Sequence, residues 1–195
     1  LQEESDPLLP VAIQITAPES QTILGQAATI TVEGTSQGAA SITVEHLPAG
    51  VTQTLTTGLE NWSTDIELVA GTNQVIVTAD DGLGNMAVDS VTVTVDNAPP
   101  LIAIEDPTLE PTYEAATDVV TLRGEVSDDT SVTVTWVRQA GLDVSSGPAA
   151  GTVEWMASDI PIVPGEDNVI TVTATDLGGN TASAVLTVTR TETIT

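Results

Sequence analysis

The chain has 195 residues and a formal charge of −25, with 28 Asp and Glu, three Arg, one His and neither Lys nor Cys. Arg123, Arg138 and Arg190 cannot make a basic patch, which argues against nucleic acid or an anionic membrane surface as partner. Divalent cations, or a saline medium that screens self-repulsion, suit such a chain better. No stretch approaches the ~20 continuous apolar residues of a membrane helix, disulfides are impossible, and no signal peptide is read.

Residues 1–10, LQEESDPLLP, carry acids and prolines without periodicity and read as a linker or frayed end. Alternating strands are expected at residues 11–16 (VAIQIT), 27–34 (AATITVEG), 40–47 (ASITVEHL), 52–57 (TQTLTT) and 61–69 (NWSTDIELV). Residues 73–85, NQVIVTADDGLGN, then read as a β-hairpin, continued by 86–95, MAVDSVTVTV. Val75, Val77 and Ala79 share one parity, so that strand should bury one face. The turn is built of Asp, which bonds its own backbone, with Gly and Asn, which tolerate positive φ.

After residues 96–100, DNAPP, the order repeats: 101–107 (LIAIEDP), 118–126 (DVVTLRGEV), 130–139 (TSVTVTWVRQ), 153–163 (VEWMASDIPIV) and a second hairpin, 168–180 (NVITVTATDLGGN). The offset is 89 between Ile13 and Ile102, 90 between Gly34 and Gly124, and 95 between Asn85 and Asn180, as in a duplicated module with small insertions. Gly34 and Gly124 are expected to mark a bend where the second strand ends. Each module has about seven short strands and no helical period, the pattern of an immunoglobulin-like sandwich of ~100 residues. The fold class is therefore all-β, with two tandem sandwich domains at 11–97 and 98–191. A five-residue, proline-stiffened linker should hold them as a semi-rigid rod. A chain that starts at Leu1 and ends in a polar tail reads as a piece of a longer protein.

The stretches VPGEDNVITVTATDLGGNTA (163–182) and VAGTNQVIVTADDGLGNMA (69–87) resemble bacterial immunoglobulin-like domains found in tandem in surface and secreted proteins. VTVTVDNAPP (91–100) also resembles the junction of cadherin repeats, although the Asp-Arg-Glu and Asp-x-Asp motifs of cadherins are missing. The resemblance implies an extracellular, non-enzymatic module and carboxylates that hold Ca²⁺ at the junction. Its motifs are specific for architecture and weak for function.

Nucleophilic catalysis lacks raw material. His46 lies in the parity of Ile42 and Val44 and aligns with Trp136, so it reads as a packed or rim residue rather than a base or ligand. Acids are scattered over loops, with nothing to pair them in a cleft. Trp136 has the inward parity expected of a sandwich Trp. Trp62 and Trp155 occupy the same place in both repeats, which favours a structural role over a sugar platform. The sequon Asn61-Trp62-Ser63 reads as chance in a bacterial protein.

The carboxylates are the sharper candidate. In such a sandwich the loop between the second and third strands and the last hairpin turn share the pole where the chain enters. For the second module these are Ser127-Asp128-Asp129 and residues 176–180, with Asp96-Asn97 entering and Glu19 of the first module expected to face them. Ca²⁺ takes roughly six to eight oxygen ligands, so the metal set is Asp96, Asn97, Asp128, Asp129 and Asp176, with Glu19 in addition. The competing account is that these are turn formers on a solvated acidic surface. No transition metal competes, since thiolates are absent. The first hairpin turn faces Thr35-Ser36-Gln37, which carries no carboxylate, so a metal, if bound, is expected at the second copy. The functional expectation is a stalk or adhesion-type spacer, stiffened by Ca²⁺ and partnered by flanking domains of the same polypeptide, with glycan or a cell-surface protein as further partners. The alternative is an accessory carbohydrate-binding or spacer module of a secreted polysaccharide-degrading enzyme.

Overall fold

Alternating Val, Ile and Thr become strands throughout, and no described residue is helical. The computed structural model describes residues 10–20, 22–25 and 29–191, so the linker read at residues 1–10 lies outside it except for Pro10. The chain divides into two compact units, one ending at Asn97 and the other starting at Ala98.

The first unit holds β1 (Ala12–Ala17), β2 (Thr22–Leu24), β3 (Thr29–Gln37), β4 (Ser41–Leu47), β5 (Val51–Leu55), β6 (Asn61–Glu67), β7 (Gly71–Asp80) and β8 (Met86–Val95). They form a three-stranded sheet, β1-β3-β6, and a five-stranded sheet, β2-β8-β7-β4-β5. The second unit holds β9 (Leu101–Ile102), β10 (Thr112–Glu114), β11 (Val119–Ser127), β12 (Thr133–Ala140), β13 (Asp143–Pro148), β14 (Glu154–Pro161), β15 (Asn168–Thr175) and β16 (Thr181–Thr189). Its sheets run β9-β11-β14 and β10-β16-β15-β12-β13, so the two topologies match. Both are immunoglobulin-like sandwiches, each with one core drawn from the inward faces of its two sheets.

The parity argument holds: Val75, Val77 and Ala79, and likewise Ile170, Val172 and Ala174, are fully buried. Three strands escape the sequence pattern. β2 and β10 are too short to show a period, and they pair in parallel with β8 and β16. β13 reads as turn from its Ser-Ser-Gly-Pro, yet it pairs with β12 over six residues.

The glycine expectation needs correction. Gly34 and Gly124 lie inside β3 and β11, which run on to Gln37 and Ser127. Each stands opposite a tryptophan, Gly34 facing Trp62 and Gly124 facing Trp155. A Cβ on Gly34 would collide with the Gln14 carbonyl oxygen, and one on Gly124 with that of Ala103. The glycines therefore make room for an indole and for a neighbouring strand, as close approach rather than bending requires.

The drifting offset also has a physical form. Between Val120 and Leu122 the register on β14 advances from Ile160 to Ala157, an extra residue that makes a bulge. Asp159 takes a φ of 57° there, and both Ser158 and Asp159 are exposed while Ala157 and Ile160 stay buried. The offset is 90 between His46 and Trp136, 93 between Trp62 and Trp155 and 95 between Asn73 and Asn168, so further insertions fall between β12 and β14 and one more in the loop before β15.

Candidate metal centre

Both hairpin turns are locked in the same way. Asp81 accepts, through Oδ1, the N–H of Leu83 (2.8 Å) and of Asn85 (3.0 Å), and through Oδ2 the Asn85 amide (2.5 Å). The Asn85 amide above all, then the Leu83 N–H, holds the Asp81 carboxyl below its ordinary value of 3.8. Asp176 accepts the Asn180 N–H through Oδ1 and the Asn180 amide through Oδ2, each at 2.8 Å. The Asp that follows one strand thus ties the Asn that precedes the next, in both copies.

The surroundings of the two turns differ. In the second unit Leu101 pairs with Ser127, which brings the entering chain beside the loop after β11. There Asp128 Oδ1 accepts both the N–H and the hydroxyl of Thr130, each at 2.8 Å. The Thr130 hydroxyl oxygen in turn accepts the Leu177 N–H at 3.4 Å, which stitches this loop to the second hairpin turn. Asp128 and Asp176 consequently offer carboxylate oxygens within 4.8 Å of one another, and Asp176 is only 6% exposed. Donors that are all oxygen fit a hard cation such as Ca²⁺. Asp129 is exposed. Asp96, half-buried directly after β8, and Asn97, exposed, close the first unit, and Glu19 is exposed after β1.

A pair of buried asparagines holds the loop before each hairpin. Asn73 opens the inward alternation of β7 and is fully buried. Its amide nitrogen donates to the carbonyls of Val69 (2.7 Å) and Gly71 (2.9 Å), and its Oδ1 accepts the Val69 N–H (2.9 Å). Asn168 does the same for Val163 and Glu166 and also donates to the Val188 carbonyl. The readable signal is a polar residue at an inward position in both repeats.

His46 is packed, as its parity requires. It is 2% exposed, with Nε2 2.9 Å from Asn73 Oδ1. Because Oδ1 already acts as an acceptor, His46 donates, and its role is to anchor that asparagine. Trp62, Trp136 and Trp155 are all buried, the last donating its Nε1–H to the Glu125 carbonyl, so none of them offers a stacking platform to a sugar. The carbohydrate alternative loses the residues on which it stood. Each Arg is paired with an Asp: Arg138 with Asp143 at 2.9 Å, Arg123 with Asp106 at 3.9 Å, and Arg190 with Asp118.

No protein-family model matches the chain, and no curated protein matches it. Solved structures do. Titin domains I67–I69, in an E-to-A mutated variant, are 11% identical with a TM-score of 0.55, over 91% of this chain and 65% of theirs. A bacterial ice-binding adhesin is 19% identical with a TM-score of 0.51, over 94% of this chain and 65% of the other. The fibronectin(III)-like modules of Clostridium thermocellum CbhA are 15% identical with a TM-score of 0.49, over 94% of this chain and 98% of theirs. The chain spans about two thirds of the titin and adhesin structures, and what it shares with them is the fold.

Proposed function

We propose that this chain is a pair of non-enzymatic, extracellular spacer modules of a larger bacterial adhesion-type protein, and that the second module binds Ca²⁺ at the pole where the chain enters. The observation that carries the metal reading is the approach of Asp128 and Asp176 to within 4.8 Å of one another. Two carboxylates that close repel each other, and a divalent cation turns that cost into attraction. The linker carboxylate Asp96 supplies a third oxygen in this reading, and Asn97 and Asp129 are its further donors. Neutralising these acids would fix the linker against the second module and stabilise it by mass action.

The spacer reading rests on features of the chain itself. Two like sandwiches follow one another through a short proline-rich joint. The single His is engaged in anchoring Asn73, and the cations are engaged with carboxylates. What these residues do is hold a shape.

Calorimetric titration of chelator-treated protein with Ca²⁺, together with melting curves, tests the metal. Heat on binding and a rise in Tm are expected, equivalent to about 2.7 kcal/mol at a hundredfold excess over Kd. Asp128→Ala combined with Asp129→Ala should abolish both, while Asp81→Ala leaves both in place. No heat and an unmoved Tm would overturn the proposal.

A further inference from the structure

The outer face of the β9-β11-β14 sheet carries an open groove. One end is a shallow cavity of about 390 Å³ lined by Glu105, Arg123, Glu125, Glu154 and Met156, among others. The other, of about 280 Å³, is lined by Leu101, Val126 and Val153, and Glu125 borders both. Leu101 is 74% and Val153 65% exposed, so two aliphatic side chains that line this end stand open to solvent.

The groove is a feature of the second unit's own sequence. With the Gly34–Trp62 and Gly124–Trp155 pairs as anchors, the positions of Glu125, Glu154 and Val153 are Thr35, Asn61 and Glu60 in the first unit. Leu101 takes the place of Ala12, since the one pairs with Ser127 and the other with Gln37. The wall is built by the segment before β14. Ala150 and Met156 exchange two backbone hydrogen bonds of 2.8 Å, and Gly151 turns at a φ of 103° where a Cβ would collide with the Glu154 carbonyl oxygen.

Three carboxylates and one guanidinium leave the polar end with an excess of two negative charges. Beside them lies aliphatic surface. That combination suits a side chain with a long apolar stem and a cationic tip. Glu125 and Ser127 are two residues apart on β11, and Leu101 stands opposite Ser127. The acidic and the apolar subsite are therefore offset along the sheet by roughly the 6.6–6.8 Å between alternate residues of an extended strand. A second copy of this chain cannot be the occupant: it has no Lys, its Arg residues are paired, and it carries the same −25 charge.

We propose that this groove docks an extended segment of a different protein, with a lysine ammonium at Glu125 and Glu154 and an apolar side chain two residues away against Leu101 and Val153. The probe is the peptide acetyl-Lys-Thr-Leu-Thr-Lys-amide, titrated into ¹⁵N-labelled protein in EDTA at about 0.15 M salt, where long-range attraction is screened. Shift changes should cluster around Leu101, Glu125 and Val153. Glu125→Gln with Glu154→Gln should weaken binding roughly fivefold or more, and a peptide with Ser in place of Leu should also bind more weakly. Glu33→Gln with Glu60→Gln, on the matching face of the first unit, should change nothing. Equal losses from both pairs of substitutions, or shifts spread over both units, would mean adsorption to a polyanion and overturn the proposal. So would no shift at about millimolar peptide, a contact too weak to specify a partner.

Discussion

Gly124 stands directly across the sheet from Trp155, and a Cβ built on it would lie 3.0 Å from the indole Cζ2. Trp62 and Gly34 repeat the pair, and Trp136 faces Gly147 on the opposite sheet of the second unit. Every tryptophan in the chain thus faces a glycine. The clashes at these glycines differ in kind. At Gly124 the added atom meets the Ala103 backbone, which cannot yield, whereas at Gly147 it meets only the Trp136 ring at 3.0–3.1 Å. Gly124→Ala should cost about 3 kcal/mol and Gly147→Ala about 1, by urea denaturation. The reverse order would contradict this account of the glycines.

Asn168→Ala removes an amide that serves the backbone of Val163, Glu166 and Val188 from a fully buried position. Orphaned carbonyls and an orphaned N–H should lower stability by about 3 kcal/mol. A loss under about 0.5 kcal/mol would mean that water replaces the side chain.

The lowered carboxyl of Asp81 gives a pH dependence of known sign. Its contribution to stability is complete above the ordinary value of 3.8 and disappears as pH falls through the lower folded value. Asp81→Asn should flatten the acid limb of the first unit's unfolding curve, monitored through Trp62 fluorescence with Trp136 and Trp155 replaced by Phe. An acid limb unchanged in Asp81→Asn would show that this turn is not coupled to unfolding.

Arg138 points inward on β12, its side chain 3% exposed, while its partner Asp143 is 61% exposed. Asp143→Ala strands a buried guanidinium and should cost about 1–2 kcal/mol, a figure reduced from the fully buried case because solvent already screens the aspartate. Arg138→Met should be close to neutral. If Arg138→Met proves the more harmful of the two, the ion pair contributes more than its desolvation removes.

The parity of Val75, Val77 and Ala79, the packing of His46 and the sandwich architecture were legible because alternation reports directly on which face is buried. β13 was not, since Ser145, Ser146 and Gly147 have the composition of a turn and only pairing with β12 makes them strand. Gly34 and Gly124 were visible as an aligned pair, but their meaning depended on which residue stood opposite, and cross-strand register is not written in local sequence. The same limit applies to the candidate site. Asp128 and Asp176 could be placed at one pole from topology, while the hydroxyl of Thr130 that stitches their loops together carries no sequence signal.

The bulge at Asp159 bears on how such modules can vary. A one-residue insertion normally turns the rest of a strand inside out, exchanging its core face for its solvent face. Here the left-handed Asp159 and its neighbour Ser158 take the added residue to the surface, and Ile160 and Ile162 remain inward just as Ile66 and Leu68 do in the first unit. Length and facing are thereby uncoupled at this point of the strand, so copies of the module can gain or lose a residue there and keep the same core.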